Sequence, residues 1–199
     1  MESGDDMSDG PAAAVLGGVG CVLLVALVGW AAIAYNLLAR LRDQADTSWA
    51  QIDVQLKRRH DLIPRLVGTV EAYAAYERGA LDAVVTARGR ATSAALGGRP
   101  AGRSAAESAL TQALGRLFAA TDAYPQLQAD PDFAALRSEL TIADDKITQA
   151  RRSYNGTVRS FNSAVRKLPT NLIAGVVGFR ARDFFEAPDG ERDPARVRF

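Results

Sequence analysis

The chain is poor in the residues that build familiar reaction centres. Among 199 residues there is one cysteine, Cys21, and one histidine, His60. A single Cys excludes an intrachain disulfide framework and any Cys-based zinc cluster. A single His excludes His-paired metal motifs, including the two Glu-x-x-His pairs of a di-iron helical bundle. No P-loop, G-x-G-x-x-G or G-x-S-x-G pattern occurs, so nucleotide and hydrolase sites have no support. Net charge is only +1, which gives no global field for nucleic acid or a polyanionic substrate. Convincing strand alternation is missing as well.

What is present is strongly asymmetric. Residues 1–39 hold four acids (Glu2, Asp5, Asp6, Asp9) and no Lys or Arg, a charge of −4. The rest carries 24 bases against 19 acids, or +5. Thirty uncharged residues separate Asp9 from Arg40, and twelve of the 27 residues at 12–38 are Leu, Ile or Val. A membrane-spanning helix needs about 20 apolar residues, and a soluble helix apolar on every side would need burial on every side. Residues 12–38 therefore read as a transmembrane helix behind an acidic N-terminal tail at 1–11. A cleaved signal peptide ending near Ala32-Ile33-Ala34 would want a basic start and an apolar core of about 7–15 residues. This segment has neither. Lipidation at Cys21 is opposed by Gly18 three positions earlier, and Cys21 reads as a small packing residue. Ala13, Gly17 and Cys21 form a stripe that would let two such helices approach closely. Arg40, Arg42, Lys57, Arg58 and Arg59 all follow the span, so the positive-inside rule puts the N-terminus outside and residues 40–199 in the cytoplasm.

Beyond the span, helical periodicity dominates. Phe133, Leu136, Leu140, Ala143, Ile147, Ala150, Tyr154, Val158, Phe161, Val165 and Leu168 recur at spacings of three and four, one continuous apolar stripe. Asp130-Pro131 suits its start, as N-cap and first helical residue, and Pro169 its end. Ser104 to Glu107 reads as a capping box opening a helix with Leu110, Ala113, Leu114, Leu117 and Phe118 on one face. A further helix is expected from Pro64 to Ala95, broken by Gly97, Gly98 and Pro100. The first cytoplasmic helix runs through Leu41, Ala45, Trp49, Ile52 and Leu56 to Pro64. There a kink and a reversal are both open locally, and mutual burial of the stripes favours reversal. The resulting expectation is an all-α fold, a transmembrane helix followed by an antiparallel up-and-down four-helix bundle over residues 39–170. A C-terminal packing segment (171–186) and a disordered tail (187–199) follow. The glycines at 175 and 178 argue against a strong helix there.

Several runs resemble the LemA family. They are Tyr35-Asn36-Leu37-Leu38-Ala39-Arg40-Leu41-Arg42 and Trp49-Ala50-Gln51-Ile52-Asp53-Val54-Gln55-Leu56-Lys57-Arg58-Arg59-His60-Asp61-Leu62-Ile63-Pro64. Further matches are Leu117-Phe118-Ala119-Ala120, Ala123-Tyr124-Pro125, Ala150-Arg151-Arg152-Ser153-Tyr154-Asn155 and Phe161-Asn162. The last are Leu168-Pro169, Ile173-Ala174, Gly178-Phe179 and Phe184-Phe185-Glu186. Arg65 departs from the usual Asn, and Gly68 from Glu or Ala. The resemblance implies a single-pass bacterial membrane protein with an antiparallel four-helix cytoplasmic bundle, and supports reversal at Pro64. It implies no reaction, since the family has no established biochemical activity.

Few residues offer chemistry. Asp53, Arg59 and His60 form a polar cluster from which a cryptic enzyme could be built. Against that, Lys57, Arg58 and Arg59 suit a solvated helix end whose carbonyls favour cations, and His60 suits a cap or packing role. Asp144 and Asp145 point about 100° apart on their helix, with Glu139 nearby, and do not make a metal site. Asn155 and Asn162, seven residues apart, suit hydrogen bonds that fix helix register. Residues 171–179 are too short to span a bilayer, and read as a strap on the helices or as a lipid-surface sensor. The leading expectation is a membrane-anchored interaction or scaffold module, not an enzyme, with no cofactor, metal or nucleic-acid partner. Its partners would be the lipid bilayer and other proteins or copies of itself, at the inner membrane of the cell.

Overall fold

The computed structural model describes residues 9–73, 77–97 and 100–185, with side chains from residue 16 onward. The expected tail at 187–199 and the first eight residues lie outside the described residues. The described chain is helical, with no strand: α1 (Asp9–Tyr73), α2 (Arg78–Leu96), α3 (Pro100–Thr121), the single turn α4 (Pro125–Gln128), α5 (Pro131–Arg166) and α6 (Thr170–Val177). Two compact units divide it, residues 1–43 with 161–181 and residues 44–160 with 182–199.

In the first unit, α1 is long and apolar enough to cross a membrane, and no residue of its most apolar stretch is buried. Leu16, Val22, Leu24, Leu27 and Ile33 all face outward. Leu38, Phe161 and Ala174 form a small core, with Leu41, Ile173 and Phe179 packed around it. Helix α5 ends at Arg166, where the Thr170 hydroxyl donates to the carbonyls of Ala164 (2.5 Å) and Lys167 (2.9 Å). The Leu168–Pro169 bond is cis. Contrary to expectation, 170–177 is helical, and a glycine finishes it. Gly178 takes a left-handed φ of +85°, which lets the amides of Gly178 and Phe179 both donate to Ala174 O at 2.9 Å.

The second unit is built on two apolar clusters. One draws Ile63, Leu66 and Val70 from α1, Leu81 and Val84 from α2, Leu110 and Leu117 from α3, Leu127 from α4, and Phe133 and Leu136 from α5. The other joins Ala45, Ile52 and Leu56 to Ile147, Tyr154, Val158 and Phe185, with Trp49 against it. Asp130 caps α5 as the sequence predicts, its Oδ1 accepting from the amides of Asp132 (2.8 Å) and Phe133 (2.9 Å). Backbone bonding and Tyr73 hold its carboxyl below the ordinary range, and Tyr73 Oη donates to its Oδ2 at 2.8 Å.

Two expectations are corrected here. Helix α1 does not reverse at Pro64 but continues through it to Tyr73, so the next helix starts at Arg78. A proline inside a helix lacks the amide that would bond the carbonyl four residues back. That carbonyl belongs to His60, and Arg88 Nε on α2 donates to it at 2.9 Å. The second correction concerns the capping box. Helix α3 begins at Pro100, which leaves Ser104 and Glu107 as buried residues inside the helix.

Candidate functional site

Because α1 passes through Pro64, the residues expected at a solvated helix end lie in mid-helix. Ile52, Leu56, Ile63, Leu66 and Val70 are fully buried on one face. Arg59 falls three residues after Leu56 and four before Ile63, on that same face. Its guanidinium therefore enters the interior, and the residue is only 3% exposed. A buried cation needs a partner. Glu107 of α3, 4% exposed, supplies it through a short Oε2 contact with Arg59 Nη2. Arg59 Nη1 donates to Thr111 Oγ1 at 2.9 Å and to Asp144 Oδ1 at 3.2 Å, and the Thr111 hydroxyl donates on to Glu107 O at 3.1 Å. His60 is also buried, with Nε2 3.1 Å from Glu107 Oε1. Burial pushes the Glu107 carboxyl up, but the His60 hydrogen bond and the Arg59 charge outweigh it, holding the group below the ordinary glutamate range. Glu107 is thus a carboxylate at neutral pH.

The three residues singled out in the sequence are not brought into one cluster. Arg59 and His60 share Glu107, whereas Asp53 pairs with Arg103 of α3, whose guanidinium lies 5.4 Å over the Trp49 ring. Glu139 pairs with Arg58 at 3.7 Å and Asp144 with Arg59, so two acids of α5 answer two consecutive bases of α1. Among the described residues, no three His, Cys, Asp or Glu side chains converge as metal ligands. Asn155 does not bridge helices. Its Nδ2 donates to Phe185 O and its Oδ1 accepts from Phe185 N, both at 2.9 Å, which clamps the C-terminal backbone at both polar groups. Tyr154 Oη adds a bond to Asp183 O at 2.9 Å, and the Phe185 ring stands 5.8 Å from Trp49. Asn162 is buried at the end of α5.

Two shallow cavities flank the Arg59–Asp144 pair. One of about 330 Å³ is lined by Ser104, Glu107, Thr111, Thr148, Arg151 and Phe185 among others, and one of about 220 Å³ by Phe118, Leu140 and Asp145. Arg59, Thr111 and Asp144 border both. His60 lines neither of these two cavities, and its Nε2 faces a carboxylate already held by Arg59. The arrangement is a charge-compensated buried network with hydroxyl walls.

Residues 48–199 match the LemA family. The chain belongs to that family. The matched region covers the Arg59–His60 segment, α3, α5 and the Asn155 clamp, so the network lies inside it and the apolar stretch before Arg40 outside it. Among curated proteins, the chain is 26% identical over 216 residues to magnetosome protein MamQ of Magnetospirillum gryphiswaldense, covering 96% of this chain and 78% of that protein. Magnetosome proteins MamQ 1 and MamQ 2 of Paramagnetospirillum magneticum are each 25% identical over 194 residues, covering 84% of this chain and 71% of theirs. The first of these alignments takes in nearly the whole chain, including the apolar helix.

Proposed function

We propose that this LemA-family protein is a single-pass, membrane-anchored helical scaffold that holds an interaction module at the cytoplasmic face and has no catalysis of its own. The observation that carries this reading is the uncharged run of α1 before Arg40, whose most apolar stretch has no buried residue and is long enough to be covered by lipid. Bases follow the stretch and acids precede it, which supports an outside N-terminus. The module is an antiparallel up-and-down four-helix bundle of α1, α2, α3 and α5. Support comes from pairs between α1 and α5 that run in reverse order: Tyr73 with Asp130, Arg59 with Asp144, Trp49 with Tyr154. Tyr124 after α3 bonds Glu77 before α2 at 3.0 Å, the same sense for the second pair. The polar residues available for chemistry are engaged in ion pairs that tie helices together, which favours a structural over a catalytic role.

The proposal is tested in native membranes with a reporter fused after Phe199 and site-specific crosslinkers on the exposed faces of α2 and α5. Reporter activity confined to the cytoplasm, with crosslinked adducts of defined mass, is the expected result. Reporter activity outside the cell overturns the orientation. A species that remains monomeric and unadducted at every position overturns the scaffold role.

A further inference from the structure

Helix α6 carries an apolar face that its own unit leaves uncovered. Val176 is 87% exposed and Leu172 60%, four residues apart on one side, and Leu168 beside them is 75% exposed. The helix contains no charged residue, while exposed Arg166 and Lys167 precede it and Arg180 follows. Its opposite side is fixed. Ala174 is buried with Leu38 and Phe161, and the Phe179 ring packs 6.1 Å from Tyr35 and 6.2 Å from Phe161. Leu38 and Tyr35 belong to the closing turns of the uncharged run that ends before Arg40. Helix α6 is therefore strapped to the end of the uncharged run of α1, where Ile33 and Leu37 face outward.

We propose that α6 is an interfacial membrane helix whose Leu172 and Val176 face, with Leu168, lies in the headgroup–acyl boundary, giving the chain a second contact with the bilayer. An uncharged amphipathic turn with one buried side, an apolar outer side and bases at both ends has the chemistry of a helix lying in that plane. Lipid is the occupant because the helix is fastened to the end of an apolar run already exposed on α1, and because Arg166, Lys167 and Arg180 match anionic headgroups. The inference rests on α1 spanning the membrane.

The test uses the full chain in dilute vesicles of phosphatidylglycerol and phosphatidylcholine, with one environment-sensitive fluorophore. In one arm the fluorophore is on native Cys21; in the other it is on Val176→Cys in a Cys21→Ala background. At 87% exposure, position 176 accepts a label without disturbing packing. The expected result is quenching of the 176 label by lipid carrying a headgroup-proximal nitroxide, by about twofold or more, with protection from aqueous iodide. Quenching of the 176 label by iodide, while the Cys21 label is quenched by a nitroxide deep in the chains, overturns the inference and leaves the span standing. Iodide access to both labels removes both. Protection at 176 that disappears on diluting the protein with lipid shows that a second copy covers the face, and also overturns it.

Discussion

Glu107 is the residue on which the second unit's interior charge balance turns. Replacing it by Gln keeps the shape and removes the charge, leaving a nearly buried Arg59 with one anionic partner, Asp144 at 3.2 Å, whose side chain is half exposed. Deleting one member of a buried ion pair costs about 3–5 kcal/mol, because the survivor stays desolvated. Asp144 and Thr111 retain part of the compensation, which puts E107Q near the low end, about 3 kcal/mol. For a domain of this size each kcal/mol moves Tm by about 2–4 °C, so E107Q is expected to melt roughly 6–12 °C lower. Trp49 fluorescence reads the transition, with Trp30 replaced by Phe so that one indole reports. The decisive measurement is the cycle with Arg59→Met. If burial of an uncompensated cation causes the loss, removing Arg59 as well recovers much of it, and E107Q/R59M is more stable than E107Q alone. Additive losses would refute the reasoning, as would an E107Q protein within about 1 kcal/mol of the parent.

Three further outcomes follow from the same geometry. Because the folded protein holds the Glu107 carboxyl below its ordinary value, its contribution is complete above the unfolded value of about 4.3 and is lost as pH falls through the folded one. The stability gap between parent and E107Q should therefore close in acid denaturant titrations, and an unchanged gap sinks the assignment. Arg88→Ala leaves the His60 carbonyl unpaired and should cost about 1–3 kcal/mol. In a Pro64→Ala background the restored amide takes that carbonyl, so the same change should cost much less, and equal costs in both backgrounds would falsify the pairing. Asn155→Ala removes both bonds to the Phe185 backbone, and is expected to red-shift Trp49 emission and speed tryptic cleavage at Arg180 and Arg182. An unchanged cleavage rate would show that Phe185 packing alone holds the segment.

The readable parts of this fold are those whose determinants are close in sequence. The α5 stripe, its Asp130 cap and the uncharged run each depend on spacings of a few residues. The misread parts depend on partners far along the chain. Pro64 reads as a breaker because local rules see a lost amide, and not the Arg88 guanidinium, 28 residues from the His60 carbonyl, that replaces it. Ser104 to Glu107 reads as a capping box because nothing nearby says that the helix has already begun at Pro100. Glu107 was nonetheless within reach. Extending the stripe Ile52, Leu56, Ile63, Leu66 places Arg59 on the core face, and a core-facing arginine calls for an acid on another helix. Residues 170–177 read as a poor helix on glycine content, which penalises a helix interior, although Gly178 is the residue that ends the helix.

The His60 carbonyl that Pro64 leaves without a helical donor also bears on which alignments of α1 and α2 are possible. Apolar stripes repeat at every turn, so a helix sliding past its neighbour by one turn meets another set of leucines and alanines at modest loss. An unpaired carbonyl does not repeat. Inside α1 it falls at His60, four residues before Pro64, and the guanidinium that takes it is that of Arg88. A one-turn slip strands both groups at the same moment, which favours the observed alignment over its one-turn neighbours by about 1–3 kcal/mol. The proline that looks like damage to the helix is what makes its alignment unique.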